Sequence, residues 1–417
     1  MGSRIENCNL HLQSRPSNRD PEFPVDIMPS PYLKLADELI FQLLSITGLS
    51  GDEGAVMDCI TSHLRTAGAT DDMFSFDTAH KKIPHGGSIG NLILKLPGTR
   101  PGPRRMLMAH TDTVPICRGA KPVKKGKYIV PADKNTGLGG DDRSGTAAIL
   151  AAALHVLREK PEHGPLTFLW TVQEEVGLYG ARFCSLNMLG KPKLAFNFDS
   201  GSTDKITIGA TGGYRWDIHI SGTASHAGAA PEQGVSAITI AAVAIAELHS
   251  DGWLGKIEKP AGSGTSNVGV ISGGEATNVI TPEVHLRAEA RSHDPAFRQK
   301  TIKAIESAFT KAAKSIKNDS GKCGHVKFDG RLDYESFRLT DDSPCVTVAE
   351  EVIRSLGGKP RRHISNGGLD ANWTSARGIP TVTLGCGQDN IHTAGERLDL
   401  DEFHRSCDIA RLLVIGA

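Results

Sequence analysis

The sequence predicts an α/β protein in which a mostly parallel sheet is covered by helices and a smaller α+β domain is inserted into the first domain. Its 417 residues exceed the size at which one hydrophobic core usually stops growing, so two domains are expected. Strands and helices alternate on both sides of residues 212–336, whereas that segment has a different order of elements. We therefore expect a discontinuous first domain, residues 31–211 and 337–417, with residues 212–336 as the insert.

The elements of the first domain follow from apolar periodicity. Two helices come first, LKLADELIFQLLSI and GDEGAVMDCITSHLRTAG, because their apolar residues recur at helical spacing. The strands NLILKL, RMLMAH, LTFLWTV and KLAFNFD follow, with a helix over residues 145–158 between the second and the third. After the insert, the helix SPCVTVAEEVIRSLG, the strand PTVTLG and a closing helix from Leu400 resume the pattern. Such alternation is typical of parallel sheets covered by helices.

The insert has its own pattern. The segment YRWDIHISG alternates strictly and places Tyr214, Trp216, Ile218 and Ile220 on one face of a strand. It is followed by the helix VSAITIAAVAIAEL, the strands SNVGVISGG and EVHLRAEARS, a long helix from DPAFRQ, and the strand HVKFDGRLDYES. The order β-α-β-β-α-β is that of a ferredoxin-like α+β domain.

Composition excludes several classes of protein. Lys plus Arg and Asp plus Glu number 47 each, so no global positive charge attracts nucleic acid or anionic lipid. No apolar stretch approaches the ~20 residues that cross a bilayer. The eight cysteines contain no C-x-x-C pair and predict reduced thiols. They are Cys8, Cys59, Cys117, Cys184, Cys323, Cys345, Cys386 and Cys407.

The N-terminus is polar. Its first 27 residues mix charges of both signs and lack the apolar core of a secretion signal. We expect a cytoplasmic protein in which residues 1–30 form a flexible extension, with Met28 as an alternative start to Met1.

The candidate functional residues share one position in the predicted fold. His110 and Asp112 follow the strand RMLMA, and two residues apart along an extended chain they project to the same side. The others also follow strands or precede a helix, and they are Asp141, Glu174, Glu175, Asp199 and His392. In open α/β sheets, ligands bind outside the carboxyl ends of the strands, so these side chains can converge on one crevice.

Each motif also has a structural interpretation. H-x-D alone is usually a polar turn, GLGGDDRSG could cap a helix, and QEE after a strand is commonly a solvated loop. Their shared placement at strand ends favours a site. Two imidazoles with several carboxylates suit Zn²⁺, with Co²⁺ or Mn²⁺ as substitutes. More than three acids exceed the needs of one tetrahedral ion, which suggests two metals sharing a carboxylate and a water.

Seven motifs in fixed order resemble the di-zinc peptidases of the M20 family, and most closely the peptidase T-like tripeptide aminopeptidases. They are AHTDTVP, GGDDRSG, QEEVGLYGA, FNFDSG, SHAGAAPEQGVSAI, GGEATNVI and NIHTAGERL, and the similarity extends from about residue 32 to the C-terminus. The resemblance implies a zinc-exopeptidase-like catalytic domain and an inserted lid domain. Arg143 departs mildly from the family pattern, where lysine is commoner, but the positive charge is kept.

The resemblance assigns five metal ligands. His110 and Asp199 would be the terminal ligands of one zinc ion. Glu175 and His392 would be the terminal ligands of the other, and Asp141 would bridge both.

The resemblance also implies five further roles. Asp112 would hydrogen-bond the first of the ligand histidines and fix its tautomer, and Glu174 would be the general base. In the insert, His226 would reach the cleft after domain closure and donate a hydrogen bond to the oxyanion. Asn278 and Arg291 resemble the family's contacts to a substrate carboxylate, although a surface ion pair is an equal alternative for Arg291.

The implied activity is that of a cytoplasmic di-zinc aminopeptidase acting on short peptides, tripeptides in particular. Aspartate at position 199 resembles the aminopeptidase-type branch, since carboxypeptidase-type relatives tend to have glutamate there. Two alternatives stay open: a family dipeptidase or N-acyl amino acid amidohydrolase, and a catalytically silent peptide-binding module. The expected partner is a short peptide, and neither nucleic acid nor membrane is expected. The strands of the insert could also pair with a second copy to form a homodimer.

Overall fold

The computed structural model describes residues 30–416, which contain nine α-helices and eighteen strands. The predicted N-terminal extension, Met28 included, lies outside the described residues except for residue 30. The helices are α1 (Pro31–Ser45), α2 (Gly54–Thr66), α3 (Gly140–Glu159), α4 (Tyr179–Phe183), α5 (Ala237–Ser250), α6 (Pro295–Ser315), α7 (Pro344–Ser355), α8 (Asp370–Ala376) and α9 (Leu400–Ile415). The strands are β1 (Phe74–Phe76), β2 (Leu92–Leu96), β3 (Arg105–His110), β4 (Pro122–Lys125), β5 (Tyr128–Pro131), β6 (Leu166–Thr171), β7 (Leu194–Phe198), β8 (Lys205–Ala210), β9 (Gly212–Ser221), β10 (Gly255–Lys259), β11 (Gly262–Gly273), β12 (Glu283–Ser292), β13 (His325–Tyr334), β14 (Phe337–Arg338), β15 (Arg361–Ser365), β16 (Thr381–Leu384), β17 (Gln388–Asp389) and β18 (Arg397–Asp399).

The largest sheet has nine strands, of which β6, β3, β7 and β16 lie side by side and parallel at its centre. On one side β2 pairs antiparallel with β6 and with β1. On the other side β8 runs antiparallel to β16 and carries β14 and β15. The predicted parallel sheet covered by helices is therefore confirmed at its centre. The antiparallel borders add the short strands β1, β8, β14 and β15, which apolar patterning did not predict.

Strand β3 shows how the sheet builds a core on each face. Leu107 and Ala109 point into the larger core beneath α3, whereas Met106 and Met108 point into a smaller core on the opposite face. All four are fully buried, which explains why the strand reads as a continuous apolar run. The run ends at His110, the first polar residue at the carboxyl edge of the sheet.

A separate antiparallel sheet is built from residues 212–334. Its strand order is β10-β11-β12-β9-β13, so β9, β11, β12 and β13 have the order of a ferredoxin-like unit, and β10 adds an edge strand. Trp216, Ile218 and Ile220 of β9 are buried in a second core with α5 and α6. The chain leaves the large sheet after β8 and returns to it at β14. We keep residues 212–336 as the predicted limits of the insert.

A third sheet of four strands, β17-β18-β5-β4, was not predicted. Its strands are two to four residues long, too short for a clear periodic pattern. Pairing of β18 with β5 places Leu398 opposite Ile129. This pairing anchors both ends of the segment that contains His392, because β17 and β18 flank it.

Residues 30–416 contain free thiols and no helix suited to crossing a membrane. No helix in this range has the length and apolar character that a membrane crossing requires. The seven cysteines in the range are free thiols.

Gly145 offers a test of how closely α3 packs against the sheet. A Cβ at this position would overlap the carbonyl oxygen of Phe198 at the end of β7 and lie 2.5 Å from Asp142 Oδ1. Gly145→Ala should therefore lower the free energy of unfolding by about 1–3 kcal/mol, although alanine is the better helix former. Urea unfolding followed by circular dichroism measures this change.

Gly54, in α2, is the matched control. A Cβ there meets only Ser88 Oγ at 3.8 Å, so Gly54→Ala should leave the free energy of unfolding unchanged or raise it by up to about 1 kcal/mol. Equal effects of the two substitutions would contradict the packing described for α3.

Candidate metal centre

Three adjacent parallel strands deliver the site residues to one edge of the large sheet. His110 is the last residue of β3, and Asp199 directly follows β7. Glu174 and Glu175 follow β6 by a short loop. Because β6, β3 and β7 are parallel neighbours, their carboxyl ends meet at the same edge. The convergence expected from the sequence is what the structure has.

Asp141 lies between the two histidines. Its Oδ1 atom is 3.2 Å from His110 Nε2, and its Oδ2 atom is 3.1 Å from His392 Nε2. On the first side, His110 Nε2 also lies 4.0 Å from Asp199 Oδ1. On the second side, His392 Nε2 lies 2.9 Å from Glu175 Oε2. One carboxylate thus faces two imidazole–carboxylate pairs, one with each oxygen.

The donor atoms are close enough for shared coordination. Three groups among the described residues have ligand atoms that all lie within 4.8 Å of one another: His110 with Glu174 and Asp199, His110 with Asp141 and Glu175, and Asp141 with Asp142 and Asp199. Carboxylate oxygens and imidazole nitrogens are the ligands that zinc and similar divalent ions accept. The residues present therefore fit a metal centre, and the placement of Asp141 fits two ions better than one.

The electrostatics of the cluster favour added positive charge. Burial raises the pKa of Glu174 and of Asp199 well above their usual values, and neighbouring carboxylates add to both shifts. Although burial opposes it, hydrogen bonds from both histidines hold the pKa of Asp141 below its usual value. Bonds to Asp141 and Glu175 raise the pKa of His392 to about 10. Two imidazoles do not balance this many buried carboxylates, so cations would stabilise their charged forms.

Asp112 is fully buried and fixes the loop that follows β6. Its carboxylate accepts hydrogen bonds from the Glu174 backbone N–H at 2.9 Å, the Glu175 N–H at 3.2 Å and the Ser50 hydroxyl at 2.6 Å. His110 Nδ1 lies 3.1 Å from the backbone carbonyl of Asp112 and 3.4 Å from its carboxylate. The imidazole of His110 thus faces both the backbone carbonyl and the carboxylate of Asp112, and the same carboxylate positions both glutamates.

Two supporting residues were missed by the sequence analysis. Glu396 is buried, and its carboxylate accepts hydrogen bonds from the backbone N–H groups of Leu138, Gly139 and Asp141. Gln388 Nε2 lies 3.3 Å from Asp141 Oδ1 and 3.3 Å from Asp199 Oδ1. Glu396 belongs to the motif NIHTAGE, so its position was visible, but contacts to a distant backbone segment leave no local pattern.

Asp370, which the sequence analysis gave no role, is buried next to the cluster. It accepts a hydrogen bond from the hydroxyl of Thr171, the last residue of β6. Burial raises its pKa to about 6. The negative charge of Asp370 also contributes to the raised pKa of Glu174.

The three predicted residues of the insert are not at the metal centre. His226 is exposed, and its Nδ1 atom accepts hydrogen bonds from the backbone N–H groups of Gly228 and Ala229. Its turn pairs with the turn that contains Asn278, whose carbonyl accepts from Ala227 N–H. Arg291 forms a two-pronged ion pair with Glu289, with both distances 3.0 Å. The structure thus brings together His226 and Asn278, but only with each other.

A cavity of about 400 Å³ opens beside the metal centre. Its walls include the five predicted ligands and Glu174, together with residues from the segments 200–207, 365–369 and 388–391. Volumes of this order hold small ligands in other proteins. The cavity is therefore large enough to hold a small ligand next to the cluster.

Comparison with known proteins agrees with this geometry. The model of peptidase family M20/M25/M40 matches residues 106–415. The uncharacterized protein YqjE of Bacillus subtilis is 34% identical over 330 residues, which are 79% of this chain and 85% of that protein.

Two solved structures are similar over nearly the whole chain. Aminopeptidase PepT from Bacillus cereus is 31% identical with a TM-score of 0.80, covering 92% of this chain and 98% of its own. A tripeptidase from Staphylococcus aureus is 30% identical with a TM-score of 0.81, covering 92% of this chain and 99% of its own. The chain belongs to peptidase family M20/M25/M40 and is a metallopeptidase.

Proposed function

We propose that this chain is a di-zinc aminopeptidase that hydrolyses the first peptide bond of short peptides, tripeptides in particular. The observation that carries the proposal is the position of Asp141, whose two oxygens each face one histidine–carboxylate pair. His110 and Asp199 would hold one ion, and Glu175 and His392 the other. The solved structures of a PepT aminopeptidase and of a tripeptidase support the substrate class.

Zinc bound by these residues would supply a Lewis acid, which polarises the peptide carbonyl and makes water more acidic. The chain itself supplies the proton transfer. Glu174 lies at the rim of the cluster, with Oε2 4.0 Å from His110 Nε2, and it is held by the contact of its backbone N–H with Asp112. We assign Glu174 as the general base that accepts the proton of the water and returns it to the leaving amine.

The insert is assigned the role of a lid. His226 would donate a hydrogen bond to the oxyanion, with Asn278 beside it, after the insert closes over the cavity. The pairing of the two turns supports their acting together. Arg291 would have to exchange Glu289 for a substrate carboxylate.

Dimerisation through the insert and a cytoplasmic location belong to the same proposal. The free thiols among residues 30–416 support the cytoplasmic location.

Glu174→Gln tests the general base. The substitution keeps the shape of the side chain but removes its ability to accept a proton, so kcat should fall about 100-fold or more while zinc content stays the same. Zinc is measured by mass spectrometry and turnover with a free tripeptide. Glu351→Gln, at an exposed position of α7, is the control and should leave kcat unchanged. Wild-type turnover in Glu174→Gln would refute the assignment of the base.

A substrate panel tests the reaction class. Free tripeptides should be hydrolysed at the first bond, with product identity read by mass spectrometry, whereas N-acetylated tripeptides should be rejected because an aminopeptidase needs the free amine. Chelation should abolish hydrolysis, and Zn²⁺ or Co²⁺ should restore it. Preferential hydrolysis of dipeptides or N-acyl amino acids would instead establish the alternative family activities, and no hydrolysis with metals bound would favour a binding module.

A further inference from the structure

Lys205 is the only lysine or arginine among the described residues that line the cavity. It is the first residue of β8, and alternation along the strand separates its side chain from that of Ile206. Ile206 and Ile208 are buried in the large core, whereas Lys205 and Thr207 line the cavity. The strand therefore directs one ammonium group at a cavity whose other charged groups are mostly acids.

The acids next to Lys205 have other partners. Asp204 accepts hydrogen bonds from the Arg405 guanidinium at 2.7 Å and from Lys359 N–H at 3.2 Å. Asp389, which also lines the cavity, pairs with Arg397 at 2.7 Å. Within residues 30–416, Lys205 Nζ has no carboxylate closer than 4.0 Å and no hydrogen bond. An ammonium without a partner is thus half-buried in the cavity wall.

The charge state of this ammonium depends on its surroundings. Burial lowers the pKa of Lys205, and the negative charge of Asp199 opposes that shift. Asp199 is a proposed metal ligand, so its charge would be shared with a cation when metal is bound. A half-buried ammonium is costly without a counter-charge, and an anionic group of the substrate is a suitable one.

Sheet register gives the separation between Lys205 and the metal centre. Leu384 of β16 lies opposite Phe198 on one side and Ile206 on the other. Phe198 precedes Asp199 and Ile206 follows Lys205, so two strand spacings, roughly 10 Å, separate the two positions along the sheet edge. From the first carbonyl of a tripeptide to its terminal carboxylate, two residues span about 7 Å, and a lysine side chain can cover the rest.

We propose that Lys205 forms a carboxylate-binding subsite, which anchors the C-terminus of a short peptide whose first bond lies at the metal centre. The inference rests on the proposed function and deepens it, because it names the group that binds the C-terminus of the substrate. Arg291 does not serve this role in the present arrangement, since Glu289 occupies its guanidinium.

Binding without turnover tests the subsite. Zinc-loaded Glu174→Gln is titrated by calorimetry with trialanine and with trialanine amide, which lacks the terminal charge. The free acid should bind about 10- to 100-fold more tightly than the amide, as expected for a charge-assisted contact. Adding Lys205→Met should remove that difference while affinity for the amide stays the same, and Lys205→Arg should keep most of it.

A control variant distinguishes loss of the subsite from general damage to the protein. Lys95→Met replaces a partly buried lysine of β2 that lies away from the cavity, and it should leave both affinities unchanged. A third ligand, Ala-Ala-Glu amide, lacks the C-terminal charge but keeps the side-chain carboxylate. A loss of its affinity in Lys205→Met would show that a side-chain carboxylate can occupy the same subsite.

Two outcomes overturn the inference: Lys205→Met keeps the preference for the acid, or it weakens acid and amide equally. The readout is binding alone. If the substrate panel shows no aminopeptidase activity, the proposed function fails, while the subsite is still judged by calorimetry.

Discussion

The burial of many carboxylates in one cluster has a large free-energy cost, and the rest of this structure depends on that constraint. Asp141, Asp199 and Glu174 are each at most 9% exposed, and Asp142 and Asp112 are fully buried. Buried carboxylates repel one another and lose their hydration. Without a counter-charge, the desolvation of each charged carboxylate costs several kcal/mol of folding free energy. Two histidines offset part of this charge. Divalent cations would offset the remaining negative charge. The excess of buried carboxylates, which destabilises the metal-free protein, would therefore favour metal binding.

A second group of acids holds the ligands in place through backbone contacts. Asp112 accepts hydrogen bonds from the N–H groups of Glu174 and Glu175, and Glu396 accepts them from the backbone of residues 138–141 at the start of α3. Glu53 accepts from Gln173 N–H at 3.0 Å, and burial raises its pKa to about 7. These side chains are buried because their hydrogen bonds replace water. The candidate ligands are thus held by the sheet and by carboxylates that accept hydrogen bonds from the neighbouring backbone.

Much of this arrangement could be predicted because it is encoded locally. His110 and Asp199 each end an apolar strand, and the carboxyl ends of parallel strands share an edge, so their meeting followed from periodicity and one topological rule. The role of Glu396 could not be predicted, since its partners lie more than 250 residues away. The position of Lys205 in the cavity could not be predicted either, because its strand is short and pairs with strands far along the chain. For the insert, the order of elements could be predicted but not the distance of His226 from the cleft, because that distance depends on how two domains lie against each other.

The most direct test of the central claim is the number of zinc ions bound per chain, measured by calorimetric titration of metal-free protein. The account predicts two equivalents for the wild type and the loss of at least one in Asp141→Asn, because Asp141 faces both histidine–carboxylate pairs. A single equivalent in the wild type, or two equivalents retained with unchanged affinity in Asp141→Asn, would contradict it.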